Sequence, residues 1–256
     1  MSTHVICLPG GVAPAAQRYS PLKSTLHGRA ELHLKDHELY GGESAPADYS
    51  VEMELAAVDR FADSLGLERF HLLGYSGGGF LSLAFAGTRP QRLLSLALFE
   101  PAMIPGQRGP EEQAAMDYLN AQLDGLQGPA FMAAFVRAQL KPGVQPPPPP
   151  SQLTPGMEKR PAGIAAMMGA FLAYSFDRDL LRACEFPVYL GYGDLSHDYE
   201  AVQAAVLARL FADIRIQRFA GVHHFVPPEQ IYTPIHAQAL EDLWARASAA
   251  QLALQK

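Results

Sequence analysis

The chain has 256 residues, 48% of them hydrophobic, enough to bury one large α/β core with an insertion. Its 20 basic and 26 acidic residues give a net charge of −6 with no basic block, which argues against a nucleic-acid partner. No run approaches a membrane span, no charged leader precedes the first apolar run, and Cys7 and Cys184 each sit in an apolar stretch, so a cytoplasmic protein with buried unpaired thiols and no membrane partner is expected.

Residues 5–8 read as a first strand, followed by the turn Pro9-Gly10-Gly11, and residues 30–34 as a second. The clearest helix spans 51–65: Ser50 is its N-cap, Val51, Leu55, Val58, Ala62 and Leu65 share a face, and Gly66 follows its end. A third strand at 70–73 runs into Gly74-Tyr75-Ser76-Gly77-Gly78, after which residues 79–86 are helical in pattern. A serine at such a junction occupies a sharp, strained turn that lifts its hydroxyl clear of the backbone, and glycines two places to either side let strand and helix approach. The first amides of the helix then face the reaction centre, where a developing oxyanion would sit.

Residues 93–99 make a fourth strand, and from 101 to 181 the patterns are helical. Phe131, Met132, Phe135, Val136 and Leu140 form one apolar stripe; Ile164, Met167, Met168, Phe171 and Leu172 form another. Between them Pro146 to Pro150 predict an extended polyproline spacer. Strands at 188–191 and 214–219, with a helix at about 199–210 between them, complete the alternation. Buried strands alternating with helices predict an α/β fold with a mostly parallel, doubly wound sheet. The expected organisation is a core made of 1–100 and 182–256, with 101–181 inserted as a helical cap. In such sheets ligands bind beyond the carboxyl ends of the strands.

A serine hydroxyl needs a base in contact with it, and that base needs an acid to orient it. Of the nine histidines, His223 and His224 follow the last strand directly, where a base is required, and His224 is preferred. His71 lies within a strand and reads as structural, His4 looks inert, and His27, His33, His37, His197 and His236 have no comparable setting. Two acids compete at strand ends: Asp194, in Gly191-Tyr192-Gly193-Asp194, is the first choice and Glu100 the alternative. Asp198, at the start of a helix, ranks third.

The order Ser76, Asp194, His224, with the elbow after a central strand, resembles the α/β-hydrolase superfamily over nearly the whole chain. In that family the first core strand ends in a His-Gly pair whose loop donates an amide to the oxyanion hole; here Leu8-Pro9-Gly10-Gly11 stands in its place. The resemblance implies an oxyanion hole from the amides of Gly11 or Val12 together with Gly77. It makes residues 36–44 a degraded version of the family's structural Asp-x-x-Gly-x-Gly-x-Ser loop. Gly191-x-x-Asp194 and Gly221-x-x-His224-Phe225 match its acid and histidine loops, while Glu100 stands at the family's alternative acid position.

The implied activity is that of a serine hydrolase cleaving an ester, thioester or lactone through an acyl-enzyme. A carbon–carbon bond hydrolase on the same triad, or a non-catalytic ligand-binding protein of the same fold, is the alternative. A serine in the elbow argues against the dehalogenase and epoxide-hydrolase branches, which use an aspartate there. The substrate is expected to be a small molecule with an apolar acyl or aromatic group, contacted by Tyr75, Met103, Met168, Phe171 and Phe225, with no cofactor and no metal.

Overall fold

All six apolar runs predicted as strands pair side by side. β1 (His4–Leu8), β2 (Glu31–Leu34), β3 (Phe70–Ser76), β4 (Leu93–Pro101), β5 (Val188–Gly193) and β6 (Ile214–Phe219) form one sheet in the order β2-β1-β3-β4-β5-β6. Every neighbouring pair is parallel. The computed structural model describes residues 2–148 and 157–254. β3 is buried along its whole length and β4 along nearly all of it, which is why both read as unbroken apolar runs. β6, at an edge, carries Arg215 and Arg218, charges that discourage further strand pairing.

Side-chain alternation along the strands divides the core into two layers. Ile6, Leu8, Leu72, Leu96, Leu98 and Leu190 face one side, against α2 (Val51–Ser64), α3 (Gly77–Thr88) and α8 (Tyr199–Leu210). Val5, Cys7, Leu73, Ala97, Phe99 and Tyr189 face the other, against α1 (Ala15–Leu26) and α10 (Pro234–Leu254). Helices therefore cover both faces, and the carboxyl ends of the strands open onto the connecting loops. α2 begins as its sequence dictates: the Ser50 hydroxyl accepts from the Met53 amide at 3.3 Å, and Gly66 beyond its end takes φ 68°.

Between β4 and β5 lie α4 (Pro110–Ala121), α5 (Gly128–Ala138), α6 (Arg160–Ala173) and α7 (Asp179–Arg182). No residue of this stretch joins the main sheet among the described residues; Leu140 makes one isolated antiparallel bridge to Ser196. A partly buried ion pair fastens its two ends. Arg178 donates to both carboxylate oxygens of Glu112, at 2.7 and 2.9 Å, and to the carbonyls of Ile104 and Pro105. The second apolar stripe is only partly inward: Ile164, Met167 and Phe171 are buried, whereas Leu172 is 55% exposed. Pro146 to Pro148 belong to no helix or strand, and Pro149 and Pro150 lie outside the described residues. A short helix, α9 (Pro228–Ile231), precedes α10. Cys7 and Cys184 are buried free thiols, and burial pushes the Cys184 thiol up to about 12.

Candidate active site

The chain turns abruptly at Ser76, the last residue of β3 and the N-cap of α3, with φ 54° and ψ −119°. A non-glycine residue held there costs about 1–3 kcal/mol, which the surrounding packing must offset. The packing is tight. A Cβ on Gly74 would lie 2.5 Å from the Gly78 carbonyl oxygen, and one on Gly78 would lie 2.4 Å from the carbonyl oxygens of Leu8 and Pro9. Glycine at both positions is thus a steric requirement of the bend. The Gly78 amide donates to the Pro9 carbonyl at 3.0 Å, tying the elbow to the loop after β1.

His224 comes from the loop after β6 and is 2% exposed; its Nε2 lies 3.1 Å from the Ser76 hydroxyl oxygen. Its Nδ1 lies 2.6 Å from Glu100 Oε2. A carboxylate only accepts, so Nδ1 carries the proton, and Nε2 is left with a lone pair for the serine hydroxyl. Glu100 is fully buried and sits at φ 44°. The β3–β4 register slips beside it: Tyr75 pairs with Phe99 but Ser76 pairs with Pro101, so Glu100 is the extra, bulged residue. Its other oxygen accepts from the Gly193 amide at 2.7 Å and the Ser196 hydroxyl at 2.6 Å. The carboxylate is therefore held at both ends.

Asp194, the first choice for this position, is elsewhere. Its Oδ1 accepts from the Gly221 amide at 2.8 Å, and its Oδ2 lies 3.7 Å from Arg218 at the rim of the sheet. It closes the turn after β6 and does not touch His224. The physical reason is the bulge, which swings Glu100 from the neighbouring strand under the imidazole, while the Gly191-to-Asp194 exit delivers its carboxylate to a backbone amide instead. Asp198, at the N-cap of α8, pairs with Lys141 at 3.3 Å. His223 is half-buried and its Nδ1 accepts from the Phe225 amide at 3.2 Å, away from Ser76; burial, set mainly against the nearby Glu100 charge, lowers its pKa.

Two of the proposed substrate contacts instead support the imidazole. Tyr75 stacks on His224 with centroids 4.9 Å apart, and its hydroxyl donates to the His224 carbonyl at 2.6 Å. The buried Arg18 guanidinium covers the tyrosine ring, 3.4 Å from its centroid. Phe225 meets His224 edge-on at 4.9 Å. Neither aromatic ring lines the cavity above Ser76.

One residue escaped sequence reasoning altogether. Glu200, in the first turn of α8, is 6% exposed, and one donor atom each from Glu100, Glu200 and His224 lie within 4.8 Å of one another. Burial, and then the Glu100 charge, raise the Glu200 carboxyl well above its ordinary value, which favours the neutral acid. Gln203 joins it to β4, its amide donating to the Pro101 carbonyl at 2.7 Å and to Glu200 at 3.2 Å. Position in a helix first turn was its only signal, and that signal belongs equally to a solvated capping acid.

Across Ser76 lie the amides of Gly77 and Gly11. As the first residue of α3, Gly77 has no intrahelical acceptor. The Gly11 nitrogen is 3.8 Å from the point a Gly77 Cβ would occupy, so the Gly11 loop passes directly beside Gly77. The Gly11 loop is braced from behind. Its carbonyl accepts from the Tyr40 hydroxyl at 2.8 Å and from Arg160 at 3.3 Å, and the Pro9 carbonyl accepts from buried His37 at 2.7 Å. Burial lowers the His37 pKa, consistent with a neutral ring donating one proton. Val12 follows in the same loop, half-buried and outside the cavity lining.

Above the serine is an apolar cavity of about 60 Å³, reached by Ser76, Gly11 and Gly77 from the core and by Met103, Met168 and Phe171 among others from the inserted segment. Met167 lines it too, with its sulfur 2.5 Å from where a Gly77 Cβ would be. Asn120 and Gln139 are the polar side chains that join the lining, apart from Ser76 itself.

A family model described as the alpha/beta hydrolase fold matches residues 3–226. Over 96 residues the chain is 29% identical to a protein named as a carbamate hydrolase, RutD of Pseudomonas savastanoi pv. phaseolicola, covering 37% of each. Over 115 residues it is 30% identical to the polyketide synthase GfsE of Streptomyces halstedii, 42% of this chain and 3% of that protein. The matches thus span little more than a third of the first of these relatives and a small fraction of the second. A thermophilic esterase from Thermogutta terrifontis superposes with a TM-score of 0.70 at 19% identity, over 96% of this chain and 91% of that one. NosK from Streptomyces actuosus superposes with a TM-score of 0.68 at 17% identity, over 97% and 100%. At these identities the likeness is one of fold.

Proposed function

Because the chain belongs to the alpha/beta-hydrolase family, we propose that it is a serine hydrolase in which Ser76, His224 and Glu100 act as nucleophile, base and orienting acid on an ester or thioester. The observation that carries this reading is the unbroken path of hydrogen bonds from the Ser76 hydroxyl through His224 to Glu100, at 3.1 and 2.6 Å.

In the first step Ser76 Oγ attacks the substrate carbonyl while His224 Nε2 takes its proton, and the carbonyl electron pair moves onto oxygen. The amides of Gly11 and Gly77 receive that oxyanion; each such donor is worth about 3 kcal/mol in sites of this kind. Glu100 holds the tautomer that leaves Nε2 basic and stabilises the imidazolium once formed. Collapse of the tetrahedral adduct expels the alcohol or thiol, which takes the proton from Nε2. Water, deprotonated by the same nitrogen, then releases the acid and restores Ser76.

The insertion acts as a cap, and its apolar lining favours an uncharged acyl or aromatic group. The cavity is small, about 60 Å³, which favours a short acyl chain, and longer substrates would be helped by movement of Met167 or its neighbours. A fluorophosphonate probe tests the reading. Covalent labelling of the wild type, lost in Ser76→Ala, is expected; an unlabelled wild type would show that the serine is not activated and would leave a ligand-binding protein of the same fold.

A further inference from the structure

At the opposite end of β1 from the Gly10-Gly11 loop lies a cluster the proposed reaction does not use. His4 opens β1 and pairs in register with Glu31 of β2, and His33 stands two residues further along β2. Residues two apart on a strand share a face, so His4, Glu31 and His33 project together. His4 Nδ1 is 3.0 Å from His33 Nε2 and 3.3 Å from Glu31 Oε2. The two rings stack with centroids 5.3 Å apart and planes 13° apart. One donor atom from each of the three residues lies within 4.8 Å of the others.

Donors bound to zinc at about 2.0–2.1 Å in a tetrahedral shell are separated by roughly 3.3 Å. The two short separations here match that edge. Two imidazoles with one carboxylate is a donor set that suits zinc and the neighbouring late transition metals and suits magnesium or calcium poorly. The His4 side chain is 33% exposed and the Glu31 side chain 57%, which leaves solvent a path to the remaining coordination position. We propose that His4, Glu31 and His33 bind one zinc-class divalent cation, which fastens edge strand β2 to β1. Without metal, the two imidazole nitrogens share a proton; on binding, that proton is displaced and both present lone pairs. The sequence hides the site because its two histidines are 29 positions apart and meet only through the parallel pairing of the strands.

The test is calorimetric titration of zinc chloride into the untagged, EDTA-treated full chain, repeated with magnesium chloride. One zinc per chain with micromolar affinity is expected, with no heat from magnesium. His33→Gln and Glu31→Gln should each weaken zinc binding at least tenfold while leaving ester hydrolysis unchanged. Glu31 is exposed, so its variant retains the fold and keeps the test interpretable if His33→Gln does not. The visible absorption of bound cobalt, read in the same proteins, should carry the signature of nitrogen ligation and vanish in His33→Gln. A wild type that takes up no zinc, or a Glu31→Gln protein that binds it as tightly as the wild type, overturns the site.

Discussion

Glu100 and Ser76 share a backbone peculiarity: each is a non-glycine residue at positive φ, 44° and 54°, at the carboxyl end of adjacent strands. Only His27 shares this among the described non-glycine residues, and it merely ends a helix. Two strained residues bonded to one imidazole are a stronger sign of chemistry than either side chain alone. Glu100→Gln should therefore lower kcat/KM for a simple ester by ~10³ or more, because the amide no longer favours the required tautomer. Asp194→Asn keeps an oxygen for the Gly221 amide and should change the rate by less than about tenfold; steady-state kinetics of both variants checks the assignment. The sequence offered both acids at strand ends and its loop pattern favoured Asp194, since the case for Glu100 depends on a one-residue bulge between strands that no local pattern encodes. Glu200 allows a separate test. Its carboxyl is raised in the folded protein, so its contribution to stability is fully present below the unfolded carboxylate range and is lost as pH rises toward the folded value. The stability advantage of Glu200→Gln over the wild type should accordingly widen from about pH 5 upward. Urea midpoints measured across that range would read it, and an advantage independent of pH would mean Glu200 is not held neutral.

At the scale of elements, the central strands and α2 were legible because each is long, apolar in the right period and bounded by a cap or a glycine. The insertion was legible as helices but not as a surface. Its two stripes gave periodicity, yet Leu172 turned outward while Met167 turned onto Gly77. Which side of a short amphipathic helix faces the site depends on neighbours contributed by the core. Met167 lines the cavity where it lies against Gly77, and methionine is the side chain most easily rearranged. Met167→Ala should shift the preferred ester toward longer acyl chains, raising kcat/KM for a medium chain relative to acetate severalfold; an unchanged chain-length profile would assign size selection to other residues. The Glu112–Arg178 pair holds the two ends of the same insertion. Arg178→Ala strands a carboxylate that is 3% exposed and should cost about 3 kcal/mol in a denaturant titration.

For the molecule as a whole, strand-helix alternation predicted the sheet and its two coverings because parallel pairing forces helices onto both faces. What alternation could not convey was which polar groups those coverings would bury. His236, in α10, is fully buried, and neither ring nitrogen has a hydrogen-bond partner among the described residues. It packs against Phe99, Tyr189, Phe219 and Tyr232, stacking on the last with centroids 5.4 Å apart. Arg18, from α1, brings a positive charge close enough to act on the ring. Burial first, and then the Arg18 charge, lower the imidazole pKa to about 3. A histidine depressed in the folded state contributes stability above its unfolded pKa of about 6.5 and loses it as pH falls toward the folded value. His71, on β3, is depressed to about 4 by burial and by His4, and adds to the same acid limb. Protonating His236 would place an unpaired cation beside a guanidinium inside an aromatic box, so the chain opens instead. His236→Leu removes the titrating group and both unpaired nitrogens while keeping an apolar side chain of similar bulk. Its melting temperature should fall less than that of the wild type on acidification from about pH 6.5 to pH 4, a difference of the order of 3 kcal/mol at the acid end. Parallel melting curves would place the acid limb in other groups.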